Sequence, residues 1–200
     1  EGSASARLCL VESTAPGKPL QTWAKTAQPA QIATVAAQMA SALAALHQHG
    51  IRHGDIKPEN VLVENQPHGP HATLIDFGLA SRNQHTGNQG GTPRFMAPEA
   101  LESRACLTSD IYSLATTIAH SLGETLPTGL GQPINSGRFT NELKAMSHPD
   151  PGKRPTAAQV FELFVVHAAE QSQDALQTLQ DTGISGGPIG QESLLEHIQN

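Results

Sequence analysis

Aromatic residues are scarce in this 200-residue chain, at 4% with one Trp and one Tyr, so any core it builds is aliphatic. Cysteine is scarcer still. Cys9 and Cys106 share no spacing pattern, which argues against a disulfide scaffold and for a reducing, cytoplasmic compartment, with delivery into another cell left open. Basic residues are few and scattered. Twelve Lys and Arg against eighteen Asp and Glu give a formal charge of −6, and no cationic run is available to grip a nucleic-acid backbone. No apolar run approaches the length of a bilayer span, so an integral membrane protein is not expected. The chain opens on Glu1 with no signal-peptide pattern after it, which reads as a processed product or a piece of a longer protein. Its length predicts one domain with a short appendage.

What is present is mostly helical periodicity. Residues 7–12 (RLCLVE) read as a short buried strand, and 19–27 as a short helix carrying Leu20 and Trp23. The clearest helix is Pro29–Gln48. Ile32, Val35, Met39, Leu43 and Leu46 recur at spacings of three and four, with Pro29 suited to its first turn and Gly50 to its stop. Two strands follow, at 60–64 and 71–75, and the proline-containing connector NQPHGP predicts a hairpin with a loose loop. Residues 76–98 lack periodicity and read as a long functional loop. A second strong helix is expected at 108–122 on the stripe Ile111, Leu114, Ile118 and Leu122, and two more at 140–147 and 156–169. Residues 170–200 read as a partly helical polar tail.

Chemistry concentrates in two short segments, His53-Gly54-Asp55-Ile56-Lys57-Pro58-Glu59-Asn60 and Asp76-Phe77-Gly78. Transfer of a phosphoryl group from a nucleotide needs cations on the phosphates and an acceptor held in line. Asp55 can take the acceptor's proton, and Lys57 can place positive charge beside the transferring group. Asn60 and Asp76 are oxygen ligands of the kind Mg²⁺ takes one or two at a time beside phosphate oxygens. Pairing of the two hairpin strands would bring Asn60 and Asp76 together. The ten histidines invite a zinc site, but His47 and His49 diverge on their helix, and His68 and His71 have no cysteine or carboxylate partner.

These segments resemble the H-R-D-x-K-P-x-N catalytic loop and D-F-G metal motif of the protein kinase superfamily. Three more stretches carry the likeness in the same order. Gly91-Thr92-Pro93-Arg94-Phe95-Met96-Ala97-Pro98-Glu99 resembles the end of an activation segment, Asp110-Ile111-Tyr112-Ser113-Leu114 the start of the buried central helix, and Asp150-Pro151-Gly152-Lys153-Arg154-Pro155-Thr156 a late arginine motif. The resemblance implies a mainly α fold: the large, C-terminal lobe of a Ser/Thr protein kinase with a short β-hairpin at the catalytic loop. Residues 1–15 would be the last strand of the small lobe and the hinge, 16–169 the large lobe, and 170–200 a tail. It further implies ATP and Mg²⁺ as cofactors and a protein substrate, with the oligomeric state open. Asp55, Lys57 and Thr92 take catalytic places, Asn60 and Asp76 hold the metal, and Glu12 and Thr14 lie in the adenine-binding hinge. Leu62 packs beneath the base, a buried Glu99–Arg154 ion pair is implied, and Asp110 anchors the catalytic loop.

Gly54 departs from the pattern, because protein kinases usually carry arginine there. The H-G-D triplet also resembles aminoglycoside and choline kinases, which makes a small-molecule kinase the competing reading. Lys57, Thr92 and the Gly91–Glu99 and Lys153–Thr156 stretches favour a protein substrate. Without a cation at position 54, loop geometry is expected not to depend on phosphorylation at Ser81 or Thr86. No Gly-rich loop precedes residue 7, and Lys18 and Lys25, the only lysines before Lys57, follow the hinge. The chain as given is therefore expected to be weakly active, and a non-catalytic, kinase-like interaction module is the third reading.

Overall fold

The computed structural model describes residues 15–82, 90–124 and 139–171. The strand expected at 7–12, the hinge residues Glu12 and Thr14, Thr86 and the tail beyond 171 lie outside the described residues.

Strand β1 (Lys18–Pro19) leads into helix α1 (Leu20–Ala24), shorter than the stretch 19–27 that the sequence suggests. Trp23 is buried there, and its indole N–H donates to Asn65 Oδ1 at 2.7 Å. Helix α2 (Pro29–Gln48) has the predicted bounds. Pro29 fills a position where no N–H is needed, and Gly50 leaves the helix at φ +67, a conformation that costs glycine nothing.

Strand β2 (Ile51–Arg52) follows, then a 3₁₀ turn at Pro58–Asn60 and strands β3 (Val61–Gln66) and β4 (Gly69–Leu74). Asn60 therefore belongs to a turn and does not open the strand. The β3–β4 register runs to Gln66↔Gly69, so the connection is a two-residue turn at Pro67 and His68, where a loose loop was expected. The φ of +127 at Gly69 is what allows the strands to close so tightly. Strand β1 adds antiparallel to β3, giving the order β1-β3-β4.

The stretch 76–98 is not wholly irregular. Strand β5 (Ser81–Arg82) pairs antiparallel with β2, and a 3₁₀ turn forms at Pro93–Phe95. Helix α3 (Pro98–Leu101) precedes α4 (Leu107–Ser121), which is buried on nearly every side and carries Asp110, Ile111, Leu114, Thr117 and Ile118 inward. Helices α5 (Thr140–Met146) and α6 (Ala157–Gln171) complete the described fold.

One core joins these elements. Ile32, Val35, Met39 and Leu43 of α2 meet Ile111, Leu114 and Ile118 of α4, Leu143 and Met146 of α5, and Val160 and Phe164 of α6. The alanines between them on α2, including the fully buried Ala33 and Ala40, suit close helix approach. Helix α2 corrects one sequence expectation. At 20 residues it is long and apolar enough to cross a membrane, yet its apolar stripe is spent on this core.

Candidate active site

Helix α4 holds the segment after β2 from below. The backbone N–H groups of His53 and Gly54 both donate to the Asp110 carboxylate, to Oδ2 at 2.8 Å and Oδ1 at 2.9 Å. His47 Nε2 approaches Oδ2 at 3.0 Å, and Thr117 Oγ1 donates to the Ile56 carbonyl at 3.3 Å. Asp110 is 1% exposed, so the His53 and Gly54 amides and His47 replace the water it has lost. Gly54 itself adopts φ +85, and a Cβ there would stand 3.0 Å from the Leu79 carbonyl oxygen. The residue read in sequence as a missing arginine is thus also a required glycine.

His53 joins the two halves of the site. Its Nε2 donates to the Ile75 carbonyl at 3.2 Å, while Nδ1 accepts from the Asp55 N–H at 3.3 Å. That pairing selects one tautomer of a neutral ring. Burial lowers the His53 pKa and prevails over the opposing pull of Asp110. The Phe77 ring meets the imidazole edge-on, with centroids 4.9 Å apart. Asp76, between Ile75 and Phe77, is fixed on both sides by one histidine.

Four of the sequence-predicted residues form a single hydrogen-bonded cluster. Lys57 Nζ donates to Asp55 Oδ2 at 2.5 Å and to Thr92 Oγ1 at 3.2 Å. Thr92 donates to Asp55 Oδ1 through both its backbone N–H, at 3.1 Å, and its hydroxyl, at 3.2 Å. The Asn60 amide nitrogen donates to the Asp55 carbonyl at 2.9 Å and to Asp55 Oδ2 at 3.0 Å. Burial alone would raise the Asp55 pKa; the bonds from Lys57, Thr92 and Asn60 outweigh it and lower the pKa. Asp55 is therefore a carboxylate at neutral pH.

The two acceptors facing the Asn60 nitrogen settle which way its amide points, and so turn its oxygen away from Asp55. Asp76 stands at φ +63, a left-handed conformation that aspartate tolerates better than most residues, with its carboxylate exposed. Its Oδ1 accepts from the Gly78 N–H at 3.2 Å, and among the described residues it makes no hydrogen bond to the Asp55 cluster. An amide oxygen and an exposed carboxylate suit a hard divalent cation that draws its other ligands from phosphate and water. Among the described residues no three His, Cys, Asp or Glu side chains cluster as an all-protein metal cage. The donor set therefore fits Mg²⁺ carried by a nucleotide. Leu62 is half-buried, and strand alternation sets it on the face of β3 opposite the buried Val61 and Val63.

A second polar centre supports the first from a distance. Glu99 on α3 and Arg154, just past the 3₁₀ turn Pro151–Lys153, form a two-pronged pair at 2.6 and 2.8 Å. Ser109 donates to Glu99 Oε1 at 2.6 Å, and Arg154 also donates to the carbonyls of His148, Thr108 and Pro149. Its guanidinium lies over the Tyr112 ring, 5.1 Å from the centroid. Sequence reasoning anticipated this pair and the Asp110 anchor. It missed His47 as a partner of Asp110 and Arg52 as a donor to Ser81, whose partners lie 63 and 29 residues away in the chain.

Comparison with known proteins points the same way. Serine/threonine-protein kinase PkaB of Streptomyces coelicolor is 41% identical over 118 residues, covering 52% of this chain and 28% of that protein. Serine/threonine-protein kinase D of Synechocystis sp. is 33% identical over 128 residues, 59% of this chain and 24% of its own length. The ovarian-specific serine/threonine-protein kinase Lok of Drosophila melanogaster is 31% identical over 191 residues, 80% of this chain and 38% of the relative. The chain thus spans less than two fifths of the length of each of these relatives. A family model for the protein kinase domain matches residues 3–135, a stretch that contains the Asp55 cluster, Asp76 and the Asp110 anchor. The chain belongs to the protein kinase family.

Proposed function

We propose that this chain carries the catalytic lobe of a Ser/Thr protein kinase that transfers the γ-phosphoryl group of Mg²⁺–ATP to a hydroxyl on a protein, and that residues 16–169 are that lobe. The single observation behind this reading is the cluster in which Lys57, Asn60 and Thr92 all hydrogen-bond the Asp55 side chain. Bound Mg²⁺–ATP would supply the phosphoryl group and neutralise charge on its own oxygens. The chain's residues do the rest. Asp55 would receive the acceptor hydroxyl as a hydrogen-bond donor and take its proton as the new P–O bond forms and the bond from the γ-phosphorus to the β–γ bridging oxygen breaks, releasing ADP. Lys57, already beside Asp55 and Thr92, offers its one remaining donor to the transferring group. Thr92 holds Asp55 Oδ1 and leaves Oδ2 for Lys57, Asn60 and the incoming hydroxyl. Asn60 Oδ1 and the Asp76 carboxylate would hold the metal, and Leu62 would offer an apolar surface to the adenine. The names of the relatives, all Ser/Thr protein kinases, support a protein over an aminoglycoside or choline as acceptor.

The test uses the full-length protein with Mg²⁺ and ATP labelled in the γ-phosphate. Label is expected on Ser or Thr of a protein substrate. The Asp55→Asn variant should lose on the order of 10²–10⁴ in kcat, the usual worth of a positioned general base. Asp76→Asn should strongly weaken Mg²⁺-dependent nucleotide binding while keeping the fold, because the side chain is exposed and asparagine also tolerates the left-handed backbone. Full activity in Asp55→Asn, or label appearing only on a small aminoalcohol or aminoglycoside, would overturn the reading.

A further inference from the structure

Besides the bond from His53 to the Ile75 carbonyl, a second side-chain bond joins the segment carrying Asp55 to the segment carrying Asp76. Arg52, three residues before Asp55, donates from Nη2 to the Ser81 hydroxyl, five residues after Asp76, at 3.2 Å. The two residues are direct cross-strand partners in the β2–β5 ladder, which has only two residue pairs. So short a ladder is marginal by itself. Arg52 is 8% exposed, and a charge-assisted hydrogen bond shielded from water is stronger than one at the surface. The same segments meet again where Gly54 passes the Leu79 carbonyl so closely that a Cβ would stand 3.0 Å from its oxygen. A slip of β5 would therefore press directly on the backbone next to Asp55.

We infer that Arg52 is a positioning residue for the proposed phosphoryl transfer: its guanidinium, acting through the Ser81 hydroxyl, sets the Asp76 segment against the Asp55 segment without a phosphate group. The inference rests on the kinase reading for its effect on rate, though not for the clamp itself. Position 54 has no cation that could receive a phosphorylated loop. Arg52 instead grips an unmodified hydroxyl, which makes the unphosphorylated chain the aligned form.

The experiment compares the full-length protein, treated with phosphatase and shown by intact mass to carry no phosphate, with Arg52→Met, Arg52→Lys, Ser81→Ala and the Arg52→Met/Ser81→Ala double variant. Two readouts are taken: amide hydrogen exchange at residues 51–55 and 79–82, and kcat and KM for protein substrate. Arg52→Met and Ser81→Ala should each speed exchange at both segments. Each should also lower kcat by about tenfold to a hundredfold, the scale of an ångström-sized misplacement, with KM changed less than about twofold. The double variant should equal the worse single one, because both remove the same link. Arg52→Lys should recover most of the loss, since one ammonium donor can reach one hydroxyl. Unchanged exchange in Arg52→Met, independent additive losses in the double variant, or loss of rate on phosphatase treatment would each overturn the inference. A wild-type chain with protected segments but no phosphoryl transfer would remove the kinase reading and leave the clamp standing.

Discussion

Asp55 accepts hydrogen bonds from three side chains, and that surplus of donors makes it a weak base before substrate arrives. In the proposed transfer its use would be orientation first and proton acceptance late, when the hydroxyl has become acidic by bonding to phosphorus. Its neighbours have constraints of their own. Gly54→Ala should destabilise the protein by about 1–2 kcal/mol from the left-handed backbone alone, with the Leu79 carbonyl adding to it; a denaturant titration reads the midpoint. Asn60→Asp offers a divalent cation more charge but confronts Asp55 with a second carboxylate in place of an amide donor. One of the two should then hold a proton near neutral pH, and the pH–rate profile should shift upward although the side chain is isosteric. Asp55, Lys57, Asn60, Asp76 and Thr92 are legible in sequence because short motifs fix their spacing. Arg52 and His47 are not, since their meaning lies in partners brought over by tertiary pairing.

At the level of elements, the Glu99–Arg154 pair ties α3 to the turn preceding α6, with Ser109 of α4 as a third member. Glu99→Gln leaves the Arg154 guanidinium, 0% exposed, without its counter-charge and should cost about 3–5 kcal/mol. Replacing both, as Glu99→Gln/Arg154→Met, should return part of that, measured as a double-mutant cycle by chemical denaturation. The helices were readable because periodicity and punctuation agree: Pro29 and Gly50 bracket α2, and the buried stripes of α2 and α4 recur at helical spacing. The hairpin was readable in place but not in closure. Its prolines suggested slack, whereas the strands extend to Gln66 and Gly69 and leave only Pro67 and His68 to turn. Strand β5, two residues long, carries too little pattern to be seen before its partner is known.

At the scale of the whole molecule, the acid-side shifts among the described residues pull in one direction. Burial opposes ionisation of Asp55 and Glu99, yet their hydrogen bonds hold both below the ordinary carboxylate value; the bond from His167 does the same for Glu142. Their stabilising effect is complete above the ordinary carboxylate range and is lost as pH falls through the lowered values. His53 is kept neutral by burial, so below its ordinary 6.5 the unfolded chain binds a proton that the folded chain refuses. Unfolding free energy should therefore decline from about pH 6.5 downward and more steeply in the carboxylate range; denaturant midpoints across that range check it. An increase in stability on mild acidification would contradict this.

The Asp110 anchor also fixes an order of events. The amides it holds belong to residues 57 and 56 positions earlier in the chain. During synthesis those amides emerge first and have only water as partner until α4 leaves the ribosome. Chains halted before residue 110 should contain every residue of the Asp55–Asn60 loop and still be unable to shape it, so the ordered loop is gained late and in one step.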